Sequence, residues 1–131
     1  MKINNQEWKT IWLNDSENVC VIDQTVLPHK FSTKILSNYL EVAAAISEMV
    51  VRGAPLIGVT GAYGLMLAMK NDPSDESLNH SLSVLNSTRP TAVNLNWALN
   101  RVYKKIKNIP LEQRANTAKE EAEKIAYEDI L

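Results

Sequence analysis

The sequence predicts a mainly α, α+β fold: a helical bundle of about five helices with a small N-terminal β-hairpin or sheet. Three observations carry that expectation. Apolar residues recur at helical spacing in separate stretches from Asn38 onward. Short β-branched or alternating stretches fall only before Leu36. One apolar run, Ala54 to Met69, is interrupted by Thr60 and three glycines, and it is short for a membrane span. With 131 residues, 45% hydrophobic and 22% charged, the chain suits a single domain, 1–131, able to bury a core.

Residues 1–18 are polar, anchored by Trp8, Ile11, Trp12 and Leu13. Val19–Ile22 is β-branched and predicts a strand. Asp23-Gln24-Thr25-Val26-Leu27-Pro28 then predicts a polar turn closed by proline. Lys30–Ile35 predicts a second extended piece, with Phe31, Thr33 and Ile35 alternating. Cys20 lies inside the first strand, which fits a buried thiol better than a nucleophile.

Asn38 with Glu41 three residues on is an N-terminal capping pair. Val42, Ile46, Met49 and Val50 follow on one face, which predicts a helix over 39–50. The next helix is predicted over 55–70, with Gly58, Gly61 and Gly64 at threefold spacing. Glycines cost helix stability, so the spacing points to close approach of a neighbouring helix or backbone. Asp72-Pro73 predicts a cap and a first helical proline for a helix over 74–86, with Leu78, Leu82 and Leu85 buried and His80 solvated. Pro90 opens the next helix, whose buried stripe is Leu95, Leu99, Val102 and Ile106. Lys104, Lys105 and Lys107 suit its last turn. A last helix is predicted over 110–129, with Leu111, Ala115, Ala118, Ala122, Ile125 and Ala126 on one side and Glu120 paired with Lys124 on the other.

Several function classes find no support. A net charge of −1 gives no basic field for nucleic acid. One cysteine precludes an internal disulfide and fits a reducing compartment. No signal peptide or membrane span is evident, so a cytoplasmic protein is expected. His29 and His80 have no ligand-type partners at metal spacing, so no metal is assigned.

All four glycines fall within Val50–Leu65, and this stretch is the candidate site. Arg52-Gly53-Ala54-Pro55 enters the apolar helix. A helix N-terminus carries unpartnered N–H groups and partial positive charge, and Pro55 suits its first position. Gly53 permits close approach of a ligand, and Arg52 adds a fork matched to phosphate or carboxylate. The bland alternative is a tight turn that launches a core helix, with Arg52 merely solvated. Ser87-Thr88-Arg89-Pro90-Thr91 repeats the theme, placing a second arginine before a helix-starting proline. Two such corners brought together would form a phosphate pocket. The alternative is that each arginine caps the C-terminus of a neighbouring helix.

Three motifs resemble a known family: Asp23-Gln24-Thr25-x-Leu27-Pro28, Val51-Arg52-Gly53-Ala54-Pro55-x-Ile57-Gly58-Val59, and Arg89-Pro90-Thr91-Ala92-Val93-Asn94-Leu95-x-Trp97-Ala98. In this order they are similar to the methylthioribose-1-phosphate isomerases. These belong to a family that also holds the initiation factor 2B regulatory subunits and ribose-1,5-bisphosphate isomerase. The resemblance implies an aldose–ketose isomerisation in methionine salvage, with a sugar-phosphate substrate and no cofactor. It implies substrate contacts at Arg52, Gly53, Ala54 and Arg89. Full-length family members are well over twice as long. Their catalytic cysteine and aspartate lie in a C-terminal Rossmann-like domain, so no catalytic residue is expected in this chain, and neither Cys20 nor Asp23 takes that role. The resemblance therefore implies an N-terminal domain, inactive alone, that meets the missing domain or self-associates through its exposed surface. Alternatives are a non-catalytic interaction module like the initiation-factor subunits, or part of a ribose-1,5-bisphosphate isomerase.

Overall fold

The computed structural model describes residues 2–3, 6–7, 10–26 and 29–129. Trp8, Leu27 and Pro28 lie outside the described residues. The chain starts with a short antiparallel pair, β1 (Lys2–Ile3) and β2 (Gln6–Glu7). An antiparallel sheet follows, built from β3 (Ile11–Leu13), β4 (Val19–Ile22) and β5 (Thr33–Leu36), with β4 in the middle. All four residues of β4 are buried, Cys20 among them. β3 was not expected as a strand, because three residues are too few for alternation to show; its partner β4 defines it. In β5 the expected alternation is not seen: Thr33, Lys34 and Ile35 are all exposed. Leu36 is buried and Ile35 is 58% exposed.

The bundle begins with α1 (Tyr39–Ser47). Asn38 Oδ1 accepts from the Glu41 N–H at 2.9 Å, as the capping pair requires. Glu41 reaches back to the Ser37 N–H, at 2.6 Å, one residue before the cap. α1 ends earlier than 50. The Val50 N–H donates to Ala45 O at 2.9 Å and the Met49 N–H to Ile46 O at 3.3 Å. With Met49 at φ 63° this is a Schellman ending in which methionine holds the position glycine usually takes. Met49 is therefore exposed rather than part of the buried stripe, while Val42, Ile46 and Val50 are buried.

α2 (Ala54–Asn71) is the centre of the bundle. Every residue from Leu56 to Met69 is buried, and α1, α3, α4 and α5 all pack on it. A helix without a wet face needs no polar stripe. The glycine spacing has the expected cause. A Cβ on Gly61 would sit 2.5 Å from Leu95 Cδ1, and one on Gly58 would sit 3.0 Å from Asn94 O; both belong to α4. Gly64 faces Val42 of α1 and Leu85 of α3 instead. Pro55 occupies the second helical position, since Ala54 is the first.

α3 (Asp75–Ser87) starts from Ser74, not Asp72. Ser74 Oγ accepts from the Ser77 N–H at 3.2 Å, and Asp72 Oδ1 accepts from the Ser74 N–H at 3.0 Å. Leu78 and Leu85 are buried, and His80 is exposed, edge-on to Tyr39. α4 (Val93–Ile106) starts three residues after Pro90. Pro90 lies in a turn closed by the Ala92 N–H donating to Arg89 O at 3.0 Å. Its expected stripe, Leu95, Leu99, Val102 and Ile106, is fully buried. A 3-10 turn over Leu111–Gln113 precedes α5 (Arg114–Asp129). Ala118, Ala122, Ile125 and Ala126 are buried, but Leu111 is 46% exposed because the turn lifts it off the bundle. Glu120 accepts from Asn116 Nδ2 rather than pairing with Lys124.

Arg114 is the residue that periodicity could not reveal. It is 2% exposed. Its Nε donates to Ile106 O at 2.9 Å, and Nη2 donates to Lys107 O at 2.8 Å and to Asp75 Oδ1 at 2.7 Å. Nη1 donates to Pro73 O at 2.8 Å. One guanidinium thus satisfies the open carbonyls at the C-terminus of α4, complements its dipole and ties it to the start of α3. Capping of a neighbouring helix, weighed above for Arg52 and Arg89, is the work of Arg114. Arg114→Ala is expected to cost about 3 kcal/mol, through buried carbonyls left without donors and the cavity behind them. A shift of the urea midpoint at unchanged slope measures this; a loss below about 1 kcal/mol would contradict it.

Candidate functional site

Two of the three sequence motifs meet at the entry to α2. The Asp23 carboxylate accepts from the Thr25 N–H at 3.0 Å and from the Thr25 hydroxyl, which closes the turn after β4. That hydroxyl bond, helped by the Thr25 N–H and the nearby Lys34 and opposed by burial, holds the Asp23 carboxyl below its ordinary value. The turn is strapped to the segment after α1: the Gln24 N–H donates to Val50 O at 2.9 Å. Arg52 Nη2 then donates to Gln24 O, also at 2.9 Å. The strap fixes one nitrogen of Arg52. The rest of its fork is on an exposed residue with no further hydrogen bond or ion pair among the described residues.

The third motif meets the second through helix packing. Asn94 and Ala98 of α4 lie against Gly58. Val93 and Asn94 share a cleft with Pro55, so α2 and α4 open at the same end of the bundle. Their N-termini differ from those of α1 and α3. Asn38 and Ser74 each supply a side-chain cap. Gly53 and Ala92, at the starts of α2 and α4, supply none. The first-turn N–H groups at this end are left without side-chain partners, and Arg52 to Pro55 are all exposed. An uncapped, solvent-facing pair of helix mouths beside a fixed arginine can receive an anion.

Of the residues expected at the site, Arg52, Gly53 and Ala54 are contiguous at this mouth. Arg89 lies in the turn that leads into α4, half-buried, and its side chain has no hydrogen bond or ion pair among the described residues. The cleft itself, about 540 Å³, is lined by Pro55, Val93, Asn94, Trp97 and Glu128. Neither arginine lines it. Glu128 was not singled out in the sequence, since a carboxylate on the exposed side of the last turn of α5 carries no pattern. It is held by Arg101, whose Nη1 and Nη2 donate to its two oxygens at 2.8 and 2.9 Å. That fork keeps the Glu128 carboxyl below its ordinary value. Arg101 also bonds the buried Glu121 and lies 5.3 Å over the Trp97 ring. Cys20 is elsewhere, buried in β4, and burial pushes its thiol up.

The sequence profile of the initiation factor 2 subunit family matches residues 50–130. A methylthioribose-1-phosphate isomerase from Sinorhizobium medicae is 48% identical over 131 residues, 99% of this chain and 36% of that protein. The chain thus spans about a third of the length of that relative. The 5-methylthioribose 1-phosphate isomerase of Pyrococcus horikoshii OT3 superposes with a TM-score of 0.83 at 38% identity, over 92% of this chain and 36% of the other. The translation initiation factor eIF-2B subunit delta of A. fulgidus superposes with a TM-score of 0.85 at 37% identity, over 95% and 38%.

Gly53 has a φ of 95° and ψ of 130°, and nothing lies within 4 Å of a Cβ built on it. The side chain would fit; the backbone would not. Gly53→Ala is expected to cost about 1–3 kcal/mol from backbone strain alone. Thermal unfolding measures this, and an unchanged midpoint would show that the turn relaxes freely.

Proposed function

Since the chain belongs to the initiation factor 2 subunit family, we propose that it is the substrate-holding N-terminal part of a methylthioribose-1-phosphate isomerase. Its ligand is a sugar phosphate whose phosphate sits at the mouths of α2 and α4. The observation that carries this is the exposed Arg52-Gly53-Ala54 corner: an arginine fixed by Gln24 O beside a helix start with no side-chain cap. Arg89 contributes from the turn before α4. Backbone N–H groups and two guanidinium forks suit a phosphate, which has several acceptor oxygens and a double charge. Several methylthioribose-1-phosphate isomerases match nearly the whole chain at 46–50% identity, which supports the choice of sugar phosphate.

Isomerising an aldose to a ketose requires a group that moves a proton or hydride between neighbouring carbons, and an acid that assists ring opening. The thiol and the carboxylate of β4 and the turn after it do not serve. The Cys20 thiol is buried with its pKa raised, and the Asp23 carboxylate is occupied by Thr25. The chain holds substrate, and the chemistry comes from a polypeptide equivalent to the remaining part of the longer relatives. Without that partner, the exposed apolar residues favour self-association. A second reading, a non-catalytic module, draws on the near-equal likeness to the eIF-2B subunit. Retention of both Arg52 and Arg89 favours the isomerase reading.

Calorimetric titration of ribose 1-phosphate tests the assignment. Weak binding is expected, with Arg52→Ala and Arg89→Ala each lowering affinity about tenfold, as loss of a charge-assisted contact does. No isomerase turnover is expected from this chain alone. Unchanged binding in both variants would favour the interaction module.

A further inference from the structure

The cleft beside the helix mouths is built from residues other than the four expected to hold the ligand. Its floor and walls are Pro55, Val93, Asn94, Trp97 and Glu128. Trp97 is 44% exposed and Val93 78% exposed, so the apolar part of the cleft is open to solvent. The Asn94 side-chain amide makes no hydrogen bond among the described residues. We propose that this cleft is the sugar subsite of the same ligand, with Trp97 as the platform for the pentose and Glu128 and Asn94 as hydrogen-bond partners of its hydroxyl groups. This rests on the phosphate reading above.

The chemistry of the three residues fits a polyol. A pentose presents C–H groups on one side and hydroxyl donors around its rim. An indole takes the first, and a carboxylate and a primary amide take the second. Glu128 and Trp97 are held in place before any ligand arrives. Arg101 grips both Glu128 oxygens, bonds the buried Glu121 and lies over the Trp97 ring. Each Glu128 oxygen accepts one bond from Arg101 and keeps a further acceptor site for a hydroxyl. The carboxylate also orients the ligand: it disfavours phosphate at its own end and leaves that group to Arg52 and the start of α2. Because Arg101 keeps Glu128 ionised, Glu128 accepts hydroxyl protons in hydrogen bonds and does not shuttle them. Arg101 acts as a positioning residue.

Parallel titrations of the whole chain with ribose 1-phosphate and inorganic phosphate separate the two claims. The wild-type chain is expected to prefer ribose 1-phosphate by about tenfold. In Trp97→Ala and Glu128→Ala that preference falls toward one, while phosphate affinity is unchanged or rises as Arg101 is released; Trp97→Phe retains the preference. Arg52→Ala weakens both ligands. An unchanged urea midpoint in Glu128→Ala and Trp97→Phe keeps the comparison independent of folding. Equal affinity of the wild-type chain for the two ligands, or a preference that survives both alanine variants, overturns the sugar subsite and leaves the phosphate site standing. Arg52→Ala without effect on either ligand overturns the phosphate reading itself.

Discussion

α2 is enclosed from Leu56 to Met69 by the four other helices, and only its two ends, Ala54–Pro55 and Lys70–Asn71, reach solvent. Most of the architecture answers to that constraint. Gly58 and Gly61 let α4 approach until its Asn94 carbonyl and Leu95 side chain occupy the space a Cβ would take. That close approach brings the start of α4 to the start of α2. The exposed N-terminal end of the buried helix is therefore also where two helix N-termini open together. The strap from Gln24 to Val50 and Arg52 sets the side chain of Arg52 at the same place. Core packing and the candidate site are consequences of one element, so overpacking at Gly61 is felt at the mouth as well as in the core.

The helices were legible because amphipathic periodicity and capping residues report burial directly. The stripes Val42–Ile46 and Leu95–Leu99–Val102–Ile106 fall where the spacing put them. The threefold glycines were legible because a helix tolerates them only for a packing reason. What escaped were features set by partners distant in sequence or by local turns that carry no residue signature. β3 exists because β4 lies beside it. Pro90 falls in a turn and not in a helix because the Ala92 N–H closes back on Arg89. Met49 leaves the buried stripe because α1 ends in a left-handed residue. Arg114 binds carbonyls from two other helix ends, and no local pattern marks it.

The candidate site divides in the same way. Arg52, Gly53 and Ala54 were legible as a helix entry with a charge beside it. Arg89 was legible as its repetition, and the structure places its turn at the head of α4, the helix that packs on the mouth of α2. Glu128 and Arg101 were not, because their pairing links the last turn of α5 with the middle of α4. Belonging to the initiation factor 2 subunit family does not by itself choose a ligand, since structures bearing two different functions superpose almost equally well. The choice falls to the side chains at the mouths of α2 and α4.

Backbone amide shifts during titration with inorganic phosphate test the central claim most directly. If phosphate sits at the exposed start of α2, the amides of Gly53, Ala54 and Leu56 move first and saturate together, with those of Val93 and Asn94 following. Those of α3, capped by Ser74, stay still. Shifts spread over the lysine-bearing surface of α4 and α5, with the Gly53–Leu56 amides unmoved, would contradict the account.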